Sequence, residues 1–427
     1  METFRIHSGV LPLCPVKEFV QDFPCPGHYK HNSSLSDQSK RTPCGRATPF
    51  CALGIFSDIQ CSSEADNFEH GTVETTAHLS KLLMRISTKR VNGILQLGGL
   101  LRISTLDSKA KLSSLVSLLE SIFNSVSTKM FHVMGDQESA IRTEFMQSFL
   151  AKNMKEYGLI KQPTRCCGCA YYSQRIGPEY TLIVLDGYEI LSVDLKENTR
   201  YAPGGITISA PNQDSTSQKC FQCRVKCGED NLVGWATELR QENGCLDRED
   251  FKLLPRLRCA ISEHQLQWLN LQLQEAVRKT DNVVVACHIP LHPLLVSDRS
   301  ALPVNWKELL YLIMNFNCVR LVLSGRPLGE AAQPPNPQKP YHYDHGIVYY
   351  SVPPALELTK QDKLAWTHMI VELGYDFVRI KGEGIPLPQE TPNGDPCSEP
   401  SWTIPFEPRR KLRVNHFDYA FNGGYDF

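Results

Sequence analysis

The chain has 427 residues and a formal net charge of -1, with 41% hydrophobic and 21% charged residues. This composition is ordinary for a folded globular protein, and the balanced charge gives no electrostatic reason to expect nucleic acid or an anionic membrane as a partner. No apolar run approaches the roughly 20 residues that a membrane-spanning helix needs. The length suits two or three average domains, or one large α/β domain with additions.

Cysteine use and the N-terminus bear on the compartment. The 16 cysteines are spread through apolar strands and loops, so we interpret most of them as reduced and buried, as in a reducing compartment. The first 20 residues lack the basic start and long apolar core of a secretory signal. We expect a cytoplasmic location or one connected to the cytosol, such as a cilium. A location inside an organelle is the alternative.

The first predicted elements set the position of a site. Residues 1–50 are irregular and are predicted to form an extended N-terminal arm. A buried strand follows, CALGIFSDIQ, which stops at Asp58 with Gln60 two residues later. Because open α/β folds bind ligands at the carboxyl ends of their strands, these two side chains are the first candidates for chemistry. A helix is predicted over 72–89 from its leucine and isoleucine spacing.

The next elements repeat this design. A strand at 93–99 ends in a glycine pair, and a strand with its turn at 129–139 ends in Gly-Asp-Gln-Glu. Helices are predicted over 106–126 and 141–157. An adjacent pair of strands is predicted at 169–174 and 181–189, followed by a polar inserted loop region at 195–258.

The last third of the domain carries two more polar strand ends. A helix over 261–277 has Ser262 as its predicted N-cap. The strand at 282–290 ends at His288, and after a helix at 305–315 the segment CVRLVLSGRPLG ends in Arg326 and Leu328. Further strands close the sheets, so the predicted domain covers 51–385 and the Pro-rich remainder, 386–427, forms a C-terminal extended arm.

The order of these strand ends resembles the calcineurin-like metallophosphoesterases, most closely the manganese-dependent ADP-ribose/CDP-alcohol diphosphatase branch. The similarity runs from residue 53 to 384 and rests on the Asp-x-Gln of the first motif and on the segments ILQLG, IVLDGYE, EHQLQWL and ACHIPLHP. The fold implied by the resemblance is an α/β one, a two-sheet β-sandwich flanked by helices in α/β/β/α order.

The resemblance also implies a pair of metal ions that activate water for attack on phosphorus. Asp58 and Gln60 match the family's first ligand motif. The bridging aspartate is replaced by Gly99, the asparagine ligand by Asp136, and the catalytic histidine by Gln137, which cannot transfer a proton.

The remaining family positions are mixed. His288 keeps the lone histidine ligand, whereas the two histidines of the last motif fall on Arg326 and Leu328, neither of which can bind a metal. We therefore expect no catalytic residue and no dinuclear centre. The alternative is a single Mn or Mg ion on Asp58, Asp136 and His288. We favour an ion-pair network in which the Arg326 guanidinium replaces the metal charge.

Simpler interpretations accompany these assignments. His288 can be an ordinary histidine at a strand end. His342, Asp344 and His345 could supply substitute ligands, but the tract YHYDHG is more simply a polar turn. The basic tract 409–413 is interpreted as a solvated patch.

Cysteine spacing suggests a second metal. Cys166 with Cys169 and Cys220 with Cys223 have CxxC spacing, as in structural zinc sites. We favour unliganded thiols on the inserted region, because the stretch between the pairs is long.

These observations lead to three functions. We favour a catalytically inactive metallophosphoesterase-like protein that acts as a subunit of a larger assembly, with other protein subunits bound through the two arms. One alternative is a nucleotide-derivative or phosphate binder. The other is an active diphosphatase for ADP-ribose- or CDP-alcohol-type substrates with a rearranged site.

Overall fold

The computed structural model describes residues 49–62, 72–102, 109–150, 170–193, 257–325, 334–336, 339–358, 364–383 and 401–406. The strands, in chain order, are β1 (Cys51–Phe56), β2 (Cys61–Ser62), β3 (Gly93–Gln96), β4 (Leu101–Arg102), β5 (Met130–His132), β6 (Tyr172–Gly177), β7 (Tyr180–Val184), β8 (Ile190–Val193), β9 (Leu257–Ala260), β10 (Asn282–Cys287), β11 (Val319–Ser324), β12 (Tyr341–Asp344), β13 (Ile347–Ser351), β14 (Leu356–Leu358), β15 (Leu364–Trp366), β16 (His368–Leu373), β17 (Phe377–Glu383) and β18 (Ser401–Pro405). The helices are α1 (Thr72–Ser87), α2 (Lys109–Asn124), α3 (Arg142–Phe145), α4 (Glu263–Lys279) and α5 (Trp306–Met314).

Two six-stranded sheets form the framework. The first has the order β18-β17-β16-β1-β3-β5 and the second β12-β13-β11-β10-β7-β6. In the first sheet β1, β3 and β5 run parallel, and in the second β7, β10, β11 and β13 do. Parallel neighbours place their carboxyl ends at one edge, which is where the polar strand ends of the sequence collect.

Layering follows from which strand faces are apolar. The core that joins the sheets contains side chains of both, for example Ile55 and Leu323, together with the inner faces of α1 and α2. The opposite face of the second sheet forms another core with α4 and α5. The α/β/β/α sandwich expected from the sequence is therefore confirmed.

Local signals explain several elements. Ser262 caps α4 as predicted, because its hydroxyl accepts a hydrogen bond from the Gln265 amide at 3.0 Å. The predicted neighbouring strands are β6 and β7, which pair antiparallel. Strands β8 and β9 also pair antiparallel, which brings together the two ends of the predicted insertion. Residues 194–256 lie outside the described part, and so do residues 1–48.

The C-terminal boundary differs from the sequence analysis. Ser401–Pro405, assigned there to the arm, is strand β18, which pairs with β17 along the first sheet. Its alternation explains the difference, since Trp402 and Ile404 are buried while their neighbours are not. The prolines that flank this short strand made the sequence resemble an irregular arm, so the strand was not predicted. None of the helices among the described residues is both long and apolar enough to cross a bilayer.

An aromatic cluster surrounds His132 at the end of β5. Its ring lies 4.9 Å from that of Phe123 and 5.2 Å from that of Phe149, measured between centroids. Its Nδ1 atom is buried without a hydrogen-bond partner in the described structure. Burial lowers the pKa of His132 to about 3.

This depressed pKa predicts acid sensitivity. The stabilising effect of neutral His132 is complete above pH 6.5 and is lost as the pH falls toward 3, at up to about 1.4 kcal/mol per pH unit. His132→Phe keeps a ring in the cluster and removes the titration. Urea unfolding at pH 7 and pH 5 should show a smaller loss of unfolding free energy for the variant than for the wild type. Equal losses in the two proteins would contradict this assignment.

Candidate functional site

Three polar side chains meet where strands of both sheets end. Asp58 follows β1, Asp136 follows β5 and His288 follows β10. The Nε2 atom of His288 lies 3.8 Å from Asp58 Oδ1 and 3.7 Å from Asp136 Oδ1. Asp58 and His288 are buried, and Asp136 is half-buried. Residues far apart in the sequence therefore form one cluster, which we call the strand-end pocket.

The turn after β1 has an unusual backbone. Asp58 has φ +53° and Gln60 φ +56°, both in the left-handed region that non-glycine residues seldom adopt. The turn is tied to the end of β3, because the Asp58 amide donates to the Gly98 carbonyl at 3.0 Å and the Gln60 amide to the Gly99 carbonyl at 2.9 Å. These bonds hold the two segments in direct contact.

A side chain at Gly99 would meet the Asp58 carboxylate, which would have to turn away. A Cβ atom there would lie 2.0 Å from Asp58 Oδ1 and 3.0 Å from Asp58 Cα, and Gly99 has φ +65°. At Gly98, with φ +89°, a Cβ atom would lie 2.6 Å from His288 Nδ1. Both glycines are required by close packing as well as by backbone conformation.

Glu138 is a part of the pocket that the sequence analysis did not identify. Its carboxylate accepts hydrogen bonds from the Leu101 amide at 2.6 Å and the Gly99 amide at 3.2 Å. Burial raises the pKa of Glu138 to about 7, and the neighbouring Asp136 carboxylate adds to the effect. The position of Glu138 directly after Gly-Asp-Gln was the only sequence signal for its role. Its partners could not be read from that signal, because they are backbone amides of another segment.

His288 faces the two aspartates of the pocket. Its Nδ1 atom donates to the Leu97 carbonyl at 2.6 Å, so Nε2 is the atom that approaches the two aspartates. This Nε2 atom is buried and has no hydrogen-bond partner among the described residues. Burial alone would lower the pKa of His288, but the carboxylates of Asp58, Asp136 and Glu138 outweigh it and raise the pKa.

The resemblance implies metal ions at the strand-end pocket. His288 Nε2 and the two aspartate oxygens could surround one ion, and their oxygen-rich character suits Mn or Mg. A second ion would need a shared carboxylate, and the position for it is Gly99. Among the described residues, the pocket therefore offers three ligands for a single ion, and it has a glycine where the resemblance places the shared carboxylate.

The other predicted site residues are distributed as follows. Gln60 and Gln137 are half-buried. The side-chain Nε2 of Gln137 donates to Asp136 Oδ2 at 3.4 Å. His342 and Asp344 belong to strand β12 rather than to a turn, and only His345 lies in the β12–β13 turn. Outside the described residues lie Arg326, Leu328, Cys166, Cys169, Cys220 and Cys223.

Sequence comparisons connect the chain with named enzymes. It is 30% identical over 203 residues to the manganese-dependent ADP-ribose/CDP-alcohol diphosphatase of Arabidopsis thaliana, covering 47% of this chain and 53% of that protein. It is 24% identical over 304 residues to the human protein of the same name, covering 68% of this chain and 79% of that one. The chain thus spans about half the length of the plant relatives that it matches. No family model matches the chain.

A solved structure shares the fold. A dimetal phosphatase from Danio rerio superposes with a TM-score of 0.53 at 15% sequence identity, covering 84% of this chain and all of that one. This likeness supports the fold. The sequence matches and the shared fold together relate the chain to metal-dependent phosphatases and diphosphatases, at modest sequence identity.

Proposed function

We propose that the chain is a catalytically inactive metallophosphoesterase-like protein that serves as an interaction subunit of a larger assembly. The observation that carries the loss of catalysis is the contact between Gly99 and Asp58. The relatives named above act on ADP-ribose and CDP-alcohols by their names, and the proposal is that this chain does not hydrolyse such substrates.

A dinuclear centre needs a ligand that bridges its two metal ions. Two bound ions would lower the pKa of a water molecule and neutralise phosphate oxygens. They would have to share a carboxylate at position 99, where a Cβ atom would lie 2.0 Å from Asp58 Oδ1. Gly99 offers no donor for such a bridge, and in this arrangement the Asp58 carboxylate fills the space that a side chain at position 99 would enter.

The pocket also lacks the proton donor that the resemblance implies. Hydrolysis of a diphosphate requires a group that protonates the leaving oxygen. Gln137 stands where the resemblance places the catalytic histidine, and an amide has no titratable proton at neutral pH. His288 could titrate, but its Nδ1 is bonded to the Leu97 carbonyl and its Nε2 approaches two carboxylates. His288 is therefore held by contacts within the pocket.

The negative charge of the strand-end pocket can be compensated by its own side chains. Asp58, Asp136 and Glu138 bring three carboxyl groups together. The high pKa of Glu138 and the raised pKa of His288 both reduce the net negative charge without an ion. Arg326, if it enters the pocket as we propose, would supply a further positive charge. Such a pocket is balanced by its own side chains.

One observation favours a second candidate function. The buried Nε2 atom of His288 has no hydrogen-bond partner within the described part of the chain, although two carboxylates lie within 3.8 Å of it. A single Mn or Mg ion would satisfy these three groups. In that case the protein would bind a nucleotide derivative or phosphate without turning it over.

The interaction role rests on the sequence beyond β18. The tract 416–427, HFDYAFNGGYDF, has five aromatic residues separated by small and flexible ones. Aromatic side chains of this kind are enriched at the centres of protein interfaces. We propose that this tract, with the N-terminal arm, binds other protein subunits.

The catalytic part is tested by activity and metal content. The purified full chain, incubated with Mn²⁺ and either ADP-ribose or CDP-choline, should show no diphosphate cleavage above the rate without protein. Metal analysis after dialysis should find less than one Mn per chain at the strand-end pocket, with Asp58→Asn as the matched control for that pocket. Cleavage at an enzyme-like rate that Asp58→Asn abolishes would overturn the proposal. Stabilisation by ADP-ribose without cleavage would favour the second candidate.

The Gly99 contact is tested by a pair of alanine substitutions. Gly346 has φ +77° and open space around its Cβ position, whereas Gly99 has φ +65° and faces Asp58. Both variants should lose about 1–2 kcal/mol from the left-handed backbone. Gly99→Ala should lose roughly 1–3 kcal/mol more from overpacking. Equal losses in chemical denaturation would show that the pocket has room for a side chain.

The interaction role is tested by a chain that ends at Phe406. This truncation keeps β18, including the buried Trp402, and removes 407–427. Expressed with a tag in its native cells, it should sediment as a smaller species than the full chain while keeping the same thermal transition. A full-length variant with alanine at the five aromatic positions of 416–427 should behave like the truncation. Unchanged complexes in both variants would contradict the proposed role of the tract.

A further inference from the structure

A second cluster of possible metal ligands lies on the second sheet. It consists of His292, in the turn after β10, with His342 and Asp344, both on β12. One nitrogen or oxygen of each residue lies within 4.8 Å of the others. We infer that this His-His-Asp cluster is a binding site for a divalent transition-metal ion of the zinc type, separate from the strand-end pocket.

The register of the β12–β13 hairpin separates the two sites. His342 pairs with Tyr349, whose ring belongs to the core beneath α4 and α5. The alternate residues of β12, Tyr341 and Tyr343, pack instead against the core between the sheets. Because side chains alternate along a strand, His342 and Asp344 lie on the helix-covered face of the second sheet.

The two imidazoles are already held together. The rings of His292 and His342 are stacked with centroids 4.4 Å apart and planes 29° apart, and the Tyr349 ring lies 4.7 Å from His292. His292 is buried and His342 is half-buried. Stacking of two imidazoles favours neutral rings, which retain a lone pair for a metal. Burial lowers the pKa of both rings, with His292 reaching about 4.

Binding would require changes at both imidazoles. The Nδ1 atom of His292 accepts a long hydrogen bond of 3.2 Å from the Leu294 amide, and an ion on that nitrogen would replace this bond. His342 is half-buried on the edge strand of the sheet, and its ring would have to turn out of the stack for the two lone pairs to converge.

Two neighbours support a ligand at this point. Asp344 Oδ1 lies 2.6 Å from His345 Nδ1, so its other oxygen is available and the carboxylate is oriented by an outer hydrogen bond, as is common for metal ligands. The Tyr349 hydroxyl is buried without a hydrogen-bond partner in the described residues. Burial and then the Asp344 charge raise the pKa of Tyr349, which places this hydroxyl in the electrostatic range of the cluster.

The donor set selects the ion. Two imidazoles and one carboxylate are typical of zinc sites and of other late first-row metals, whereas Mg and Mn prefer oxygen ligands. The cluster joins the edge strand β12 to the turn after β10. A bound ion would therefore fix the edge hairpin to the end of a central strand. This inference does not rest on the loss of catalysis proposed above.

The test is zinc binding by the full-length chain after removal of metals with EDTA. Wild-type protein should bind one Zn²⁺ that is absent from His342→Ala, or bound at least about 100-fold more weakly, since loss of outer-sphere partners alone costs about 10- to 100-fold. Asp344→Asn, which preserves shape, should show the same loss. Asp58→Asn removes a carboxylate from the strand-end pocket and should keep this zinc.

Spectroscopy and stability distinguish this site from the cysteines. Co²⁺ in place of Zn²⁺ should give visible absorption that is lost in His342→Ala and that lacks the intense near-ultraviolet band of thiolate ligands. Zn²⁺ should raise the thermal transition of the wild type and of Asp58→Asn above the value that each has in EDTA, and should leave that of His342→Ala at its EDTA value. Equal zinc binding by wild type and His342→Ala would overturn the inference, and so would loss of the zinc in Asp58→Asn.

Discussion

The structure of the strand-end pocket depends on the direct contact between the turn after β1 and the glycine pair after β3. Amides at Asp58 and Gln60 bond the carbonyls of Gly98 and Gly99, and Glu138 bonds the amides of Gly99 and Leu101 from the other side. Three strand ends of the first sheet are thereby fixed to one another by backbone hydrogen bonds and by the Glu138 carboxylate.

Charge in the pocket follows from this geometry. Carboxyl groups that the close backbone brings together cannot all ionise without a compensating charge. Burial and the Asp136 charge raise the pKa of Glu138 to about 7, and the neighbouring carboxylates raise the pKa of His288, so both groups hold a proton more readily than they would in water. A dinuclear relative would use cations for the same purpose. The sandwich architecture is complete, and this chain has Gly99 where the resemblance places a bridging aspartate. A fold does not by itself imply a particular chemistry.

Sequence reasoning predicted the elements whose signals are local. The strand before Asp58, the cap at Ser262 and the β6–β7 pair follow from apolar runs, a capping residue and alternation. The approach of Asp58, Asp136 and His288 was implied by the family resemblance, since the strands that carry them belong to two different sheets. Glu138 was not, because its function depends on amides some 40 residues earlier in the chain. The stacked pair of His292 and His342 depends on the register of β12 with β13, which no local pattern specifies.

Strand β18 has a consequence for how the chain folds as it is made. It covers β17, and it is translated after every other strand of the first sheet. Until the ribosome has released residues 401–405, β17 presents an open row of amide and carbonyl groups beside the buried side chains of Val378 and Ile380. Open edges of this kind pair readily with other chains. Nascent or prematurely terminated chains are therefore exposed to aggregation at this edge, and chaperone binding during synthesis would act there.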